Sequence, residues 1–290
     1  MSTCRLPALE EAAREVREEK TMGASWALYR LAKALIEEAE AGADICSCLE
    51  EVERLVEDAS PTMVPPRWIP RLALEACRRG HSPAEAARGL LDYQSRAFQL
   101  LAEAARTALR GAHTVVTLSY SGTVERILHS LPASTRIVVA ESRPGGEGAI
   151  LASRLAGSRR QVLVVPDSAL ALHLEPGGTA VIFGADAVTG DGCVYNKVGS
   201  RLLALAAKSL GVPAYSAFDA TKTLPEAGCR DLRVEEWTYS IEGWGTVRVP
   251  VFEAIEPAHL AGYITEHGIL APGSRSVKTL ARRLVENVLA

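Results

Sequence analysis

No apolar run in these 290 residues approaches the roughly 18 needed to cross a bilayer, so no membrane-spanning helix is expected. The opening stretch MSTCRLPALEEAAREVREEK also lacks the apolar segment of a signal peptide, and the expected location is the cytoplasm. Charge of one sign is missing as well: 32 basic residues against 35 acidic leave a net charge of -3. With neither a basic stripe nor aromatic interleaving, direct nucleic-acid binding is not expected. The six cysteines, Cys4, Cys46, Cys48, Cys77, Cys193 and Cys229, form no C-x-x-C pair and have no His-x-x-x-His to match, so no metal site is expected. They read as small buried thiols, with disulfides admitted only in the cytosol of a hyperthermophile. Dispersed histidines suggest no catalytic role for that residue type. The chain has no G-x-x-x-x-G-K-[ST], and no G-x-G-x-x-G follows its first strand, which argues against nucleotide hydrolysis and dinucleotide redox chemistry. No cofactor is expected.

What is present is a change of texture near Gly111. Before it, apolar residues recur at three- and four-residue steps, as in Leu28, Leu31, Ala32, Leu35 and Ile36, which predicts amphipathic helices from Leu9 to Arg110. The proline-rich SPTMVPPRWIP, Ser60 to Pro70, must interrupt them. Beyond it, Ser82, Pro83 and Glu85 supply an N-cap, a first-turn proline and a capping-box acid for a long helix that Gly111 can close. After Gly111, short runs rich in valine and isoleucine alternate with helical patterns: HTVVTLS, RIVVAE, QVLVVP, TAVIFGAD and VPAYSAF. Buried strands separated by helices predict a doubly wound parallel sheet. The expected division is a helical domain over residues 1–111 and an α/β domain over 112–290. VEEWTYSIEGWGTVRVPVFEAI reads as a hairpin or extended arm turning at Glu242 and Gly243, with Trp237 and Trp244 either buried or anchoring a partner, and SVKTLARRLVENVLA as an amphipathic helix.

In a doubly wound sheet, ligands lie outside the carboxyl ends of the strands. The first strand runs into Ser121, Gly122 and Thr123, an ordinary N-cap taken alone but also a helix start able to meet an anion. The second runs into ESRPGGEG, where Arg143 can contact phosphate and Glu147 can open a helix. The fourth runs into GADAVTGDGCVYNKVGS, with Asp186 past the strand, a glycine-rich turn, and Asn196 and Lys197 at the next helix start. The fifth brings Lys222. Each residue has a dull explanation as a turn cap or a solvated charge. Together they describe a cleft with an acid and several cations, suited to a phosphorylated sugar or nucleotide.

The series ESRPGGEG, GADAVTGDGCVYNKVGS and FDATKTLP resembles the family that contains the alpha, beta and delta subunits of eukaryotic translation initiation factor 2B, ribose-1,5-bisphosphate isomerase and methylthioribose-1-phosphate isomerase. The similarity runs from KTMGAS at Lys20 to Leu270. It implies N-terminal helices, a Rossmann-like C-terminal domain that dimerises, and a sugar-phosphate pocket between the two. In the isomerases a cysteine after the first strand and the aspartate of the GAD motif exchange protons between C1 and C2. By resemblance these positions fall on Ser119 and Asp186. A hydroxyl is far too weak an acid to replace a thiol unaided. Where isomerases carry Arg-Gly-Ala this chain has Met22, Gly23 and Ala24, and where they carry Arg-Pro-Thr it has Ser60, Pro61 and Thr62, so a guanidinium clamp for a second phosphate is missing. The resulting expectation is a homodimeric binder of a phosphorylated ribose or AMP-like molecule that serves sensing or assembly with an initiation-factor-like partner. The ligand would be held by Gly23, Ala24, Ser121, Gly122, Arg143, Glu147, Asn196, Lys197 and Lys222. The alternative is an aldose-ketose isomerase with Asp186 as acid and base.

Overall fold

A computed structural model describes residues 4–19, 22–61, 63–157, 160–232, 234 and 236–290. Lys20 and Thr62, to which two of the sequence expectations refer, lie outside these. The chain opens with helices α1 (Pro7–Glu18), α2 (Ala24–Glu40), α3 (Leu49–Ala59), α4 (Trp68–Arg78) and α5 (Pro83–Ala108). The proline-rich break falls where expected, but Pro70 lies inside the first turn of α4, where a missing N–H costs no helical bond. Ser82 caps α5 by accepting from the Glu85 amide at 3.4 Å, and Gly111 takes a φ of 87° beyond its end.

Strands and helices then alternate: β1 (Thr114–Thr117), α6 (Gly122–Ser130), β2 (Arg136–Ala140), α7 (Glu147–Leu155), β3 (Val162–Val165), β4 (Thr179–Phe183), β5 (Ala187–Thr189), β6 (Val194–Lys197), α8 (Ser200–Ser209), β7 (Ala214–Ala217) and β8 (Thr223–Leu224). The chain finishes with β9 (Glu236–Ile241), β10 (Gly245–Pro250), β11 (Phe252–Ile255), β12 (Gly262–Thr265), β13 (Gly268–Leu270) and α9 (Ser274–Val288). The main sheet has the order β13-β12-β7-β4-β1-β2-β3, parallel except for the edge strand β13. Counted by position in that sheet, the parallel strands run 3-2-1-4-5-6, the doubly wound order, so the direction of winding switches between β1 and β4.

Side chains alternate across this sheet as a period of two requires. Val116, Val138 and Val181 join a hydrophobic cluster with α1 to α5, α8 and α9, while Val115, Ile137, Val139 and Ile182 face α6, α7 and the end of α5. The fold is thus mixed α/β, with N-terminal helices packed on a large and mostly parallel sheet. Residues 236–250 form the expected hairpin, with Tyr239 opposite Val247 and Trp237 opposite Val249.

Two expectations need correction. GADAVTGDGCVYNKVGS is not a turn into a helix: its middle forms the antiparallel pair β5–β6, the heart of a second sheet ordered β11-β6-β5-β8. Strands this short become stable only when distant segments, here residues 252–255 and 223–224, pair with them. The cysteines are not free thiols either: Cys4–Cys48, Cys46–Cys77 and Cys193–Cys229 are disulfide-bonded. Folding brings together residues 31 to 44 positions apart, which linear spacing does not reveal.

Candidate functional site

The strand ends at the switch point hold an unusual backbone. Ser119, just past β1, has a φ of 61°, and Ser142, just past β2, has 67°, both in the left-handed region that side chains disfavour. The Ser119 amide donates to Ser142 Oγ at 2.6 Å, and that hydroxyl donates on to the Ala140 carbonyl at 3.1 Å, so the two strand ends hold each other in place. Ser121 then caps α6 by accepting from the Val124 amide at 3.4 Å. The amides of Gly122 and Thr123, in the first helical turn, have no helical acceptor. Across the switch point, a Cβ at Gly184 would stand 2.6 Å from Ser121 Oγ and 3.1 Å from its Cβ, so a larger residue there would displace the side chain that caps α6.

Asp186 is pinned through its backbone, its amide donating to the Tyr195 carbonyl at 2.8 Å and its carbonyl accepting from the Val64 amide at 3.1 Å. Its side chain lies deep among protein atoms yet stays partly open to the cleft. Burial pushes its carboxyl above the ordinary range; Lys222 and Lys197 pull it back, and Glu147 adds to the rise. Asn196 and Lys197 end strand β6 and do not start a helix, which first forms at Ser200. The Asn196 amide nitrogen donates to Ser200 Oγ at 2.7 Å. Lys197 Nζ lies 2.8 Å from Glu147 Oε1, an ion pair whose angle is not that of a hydrogen bond, and Glu147 Oε2 is buried without a partner. The same ammonium stands 4.3 Å from the Trp237 ring centroid and 5.0 Å from that of Phe252. Lys222 closes the short turn Ala220–Lys222. It is only 4% exposed, and burial drives its ammonium below the ordinary lysine range against the pull of Asp186 and Asp219.

These groups share one cleft of about 120 Å³, room for on the order of ten water-sized groups. The structure brings together Ser119, Ser121, Gly122, Glu147, Asp186, Asn196, Lys197 and Lys222, with Gly23 and Ala24 at the start of α2 closing the opposite wall. It does not bring Arg143. That guanidinium turns out to solvent and pairs with Glu141, its neighbour but one, at 3.2 Å, because the second strand's loop reaches the cleft through Glu147 instead. Sequence reasoning did not place Trp26, Met63, Tyr120, Trp237 or Phe252 at the site. Only Trp237 had drawn notice, as a core or partner residue; Trp244, at the hairpin tip, is 71% exposed.

The described lining residues carry two cations, Lys197 and Lys222, against three carboxylates, Glu19, Glu147 and Asp186, and no arginine. The lysines come from β6 and the Ala220–Lys222 turn, and Ser121, Gly122 and Thr123 at the start of α6 line the same cleft. The wall at α2 is formed by Met22, Trp26, Met63 and the Glu19 carboxylate, which accepts from the Met22 amide at 3.2 Å. A second hollow of about 290 Å³ lies at the amino ends of β1 and β2, where His113, Arg136, His173 and Glu175 meet, and it shares no lining residue with the cleft. Asp191 clusters with Cys193 and Cys229 within 4.8 Å, but the two sulfurs are bonded to each other and offer no thiolate to a metal. Among the described residues no helix is long and apolar enough to cross a membrane.

N-terminal helices on a doubly wound sheet, with a charged cleft at the switch in strand order, define the class. The chain belongs to the initiation factor 2 subunit family, whose sequence model matches residues 15–272. It is 28% identical over 267 residues to a translation initiation factor eIF-2B subunit 2-like protein of Pyrococcus horikoshii, spanning 90% of this chain and 96% of that one. It is 33% identical over 152 residues to ribose 1,5-bisphosphate isomerase of Thermococcus kodakarensis, 47% of this chain and 46% of the enzyme. The crystal structure of the Pyrococcus horikoshii OT3 translation initiation factor eIF-2B matches with a TM-score of 0.84 at 28% identity, covering 93% of this chain and 99% of that one.

Proposed function

We propose that the chain binds a singly phosphorylated ribose or a nucleoside monophosphate as a homologue of the initiation factor 2B subunits. In this reading it acts in the cytoplasm as a homodimer and couples the ligand to sensing or to assembly with an initiation-factor-like partner. The observation that supports it is the charge of the cleft. Lys197, Lys222 and the start of α6, whose dipole contributes about half a charge, are the groups of the cleft that can meet the oxygens of one phosphate, and the carboxylates of Glu19, Glu147 and Asp186 set a limit on how much negative charge it takes. Among the described lining residues a second phosphate finds no further lysine and no arginine. The α2 wall, where the isomerase pattern calls for guanidinium groups, presents Met22, Trp26 and Met63. Calorimetric titration is expected to show binding of ribose 5-phosphate or AMP and weaker binding of ribose 1,5-bisphosphate. If no ribose phosphate bound to the folded protein, the reading would be lost.

One observation favours a second reading, an aldose-ketose isomerase. Asp186 and Ser119 line the same cleft, and burial raises the proton affinity of Asp186, the direction that suits a group taking up and returning a proton. Ser119 would then hydrogen-bond a substrate oxygen while Asp186 moved the proton. Incubation with ribose 1,5-bisphosphate, followed by NMR for the ketose, separates the two readings. Turnover that Asp186→Asn abolishes supports the enzyme, and absence of turnover leaves the binder.

A further inference from the structure

Behind the cleft lies a second set of buried acids. Glu266, in the turn between β12 and β13, is 7% exposed, and Asp219, which precedes the Ala220–Lys222 turn, is fully buried. Glu266 Oε1 accepts from the Tyr93 hydroxyl, which comes from α5, and from the Ala220 amide at 2.9 Å. Asp219 Oδ1 caps the same turn by accepting from the Thr221 amide at 2.9 Å and from the Thr221 hydroxyl. The Lys222 amide donates to the Asp219 carbonyl at 3.0 Å. One oxygen of each acid, Glu266 Oε2 and Asp219 Oδ2, is buried with no partner. Burying two such oxygens without a protein partner is costly for ionised acids, and a proton on one of them lowers that cost.

We infer that Glu266 is a positioning residue for the cleft: bridging α5 and the Ala220–Lys222 turn, it fixes where the Lys222 ammonium stands and weakens its hold on an anion when it ionises. The chemistry follows from placement. Protonated, Glu266 keeps its bonds to Tyr93 and Ala220 and does not repel Asp219. Ionised, it puts a second negative charge beside the acid that caps the Lys222 turn, which strains the cap and lowers the potential felt by an incoming phosphate. Burial, with the Asp219 charge next, pushes the Glu266 carboxyl up to about 7, which puts the change near neutrality.

The other groups facing Glu266 are few. From α5 comes Tyr93, whose phenol is driven upward by burial and then by Glu266, so it remains a donor. Beside Glu266, His267 Nε2 lies 4.0 Å from Oε1, and burial followed by Arg283 lowers its proton affinity. Arg283 belongs to α9, which packs on the Lys222 turn. Asp219 supplies the charge from the turn itself.

The chain has six lysines, so labelling their ε-carbons with ¹³C gives a spectrum in which Lys222 is assigned by Lys222→Arg. In the full protein without ligand, the Lys222 signal is expected to step with a midpoint near pH 7. Glu266→Gln, which keeps the acceptor and removes the charge, should abolish the step, and His267→Gln should keep it. A step that survives Glu266→Gln, or no step in the wild type, overturns the assignment. The affinity arm rests on the proposed reading of the cleft and uses ribose 5-phosphate. Glu266→Gln should bind it about tenfold more tightly than wild type at about pH 8 and equally at about pH 6. An equal ratio at both values also overturns the role of Glu266. Failure of both proteins to bind removes the reading of the cleft, while the lysine titration still decides the role of Glu266.

Discussion

Lys222 and Asp186 show how burial changes two ordinary charges. Burial moves each toward its neutral form, and each draws the other back toward its charged form. Lys222→Met should therefore cost the ribose 5-phosphate complex about 1.5–3 kcal/mol, the range for a hydrogen bond to a charged group, and calorimetry of the folded variant measures it. The acid has a stability consequence of definite sign. With its folded pKa above the unfolded value of 3.8, Asp186 binds more protons in the native state, so its contribution is complete below that value. That contribution is lost as pH rises through the folded pKa. Denaturant titrations of wild type and Asp186→Asn are expected to show the variant gaining relative stability as pH rises from about 4, and a flat difference would contradict it. Asp186, Asn196, Lys197 and Lys222 were legible in the chain because polar residues that end buried strands have few places to go. Trp26, Met63 and Phe252 were not, since an apolar residue on an amphipathic element reads as core until its neighbours are known.

Among the elements, α7 ties the cleft to the sheet. A Cβ on Gly148 would stand 1.7 Å from the Ala140 carbonyl oxygen and 2.8 Å from its carbon, both backbone atoms of β2 that cannot swing aside. Gly148→Ala should push α7 off the sheet, destabilise the fold by about 3 kcal/mol or more, and carry Glu147 away from Lys197. Urea unfolding and ribose 5-phosphate titration of the same variant check both effects. Strands β1 to β4 and β7 and helices α5 to α8 were readable because each carries its own periodicity or cap, whereas β12 and β13, of four and three residues, were not. The β5–β6 pair was not: its three- and four-residue strands carry too little pattern of their own and depend on β8 and β11. This is also why Lys197, expected at a helix start, ends a strand.

At the scale of the whole molecule, one hydrophobic cluster runs from Leu6 through the N-terminal helices to Val181 in the sheet and Leu284 in α9. The cleft walls are therefore set by the same packing that stabilises the chain. The three disulfides close loops of 44, 31 and 36 residues. By chain entropy each is worth about 3–4 kcal/mol, so reduction and alkylation should lower the thermal midpoint by about 10 °C or more. Mass spectrometry should show a gain of six hydrogens on reduction of the unfolded chain, and six freely alkylated cysteines before reduction would contradict the pairing. The sequence alone determined the helices followed by a doubly wound sheet, the polar strand ends and the family, because periodicity, caps and motifs are local properties of a chain. Only the tertiary structure decided which cysteines meet, that Arg143 faces solvent, that Trp237 covers Lys197 and that Glu266 stands behind Lys222. Those outcomes depend on distances between residues far apart along the backbone, which packing alone determines.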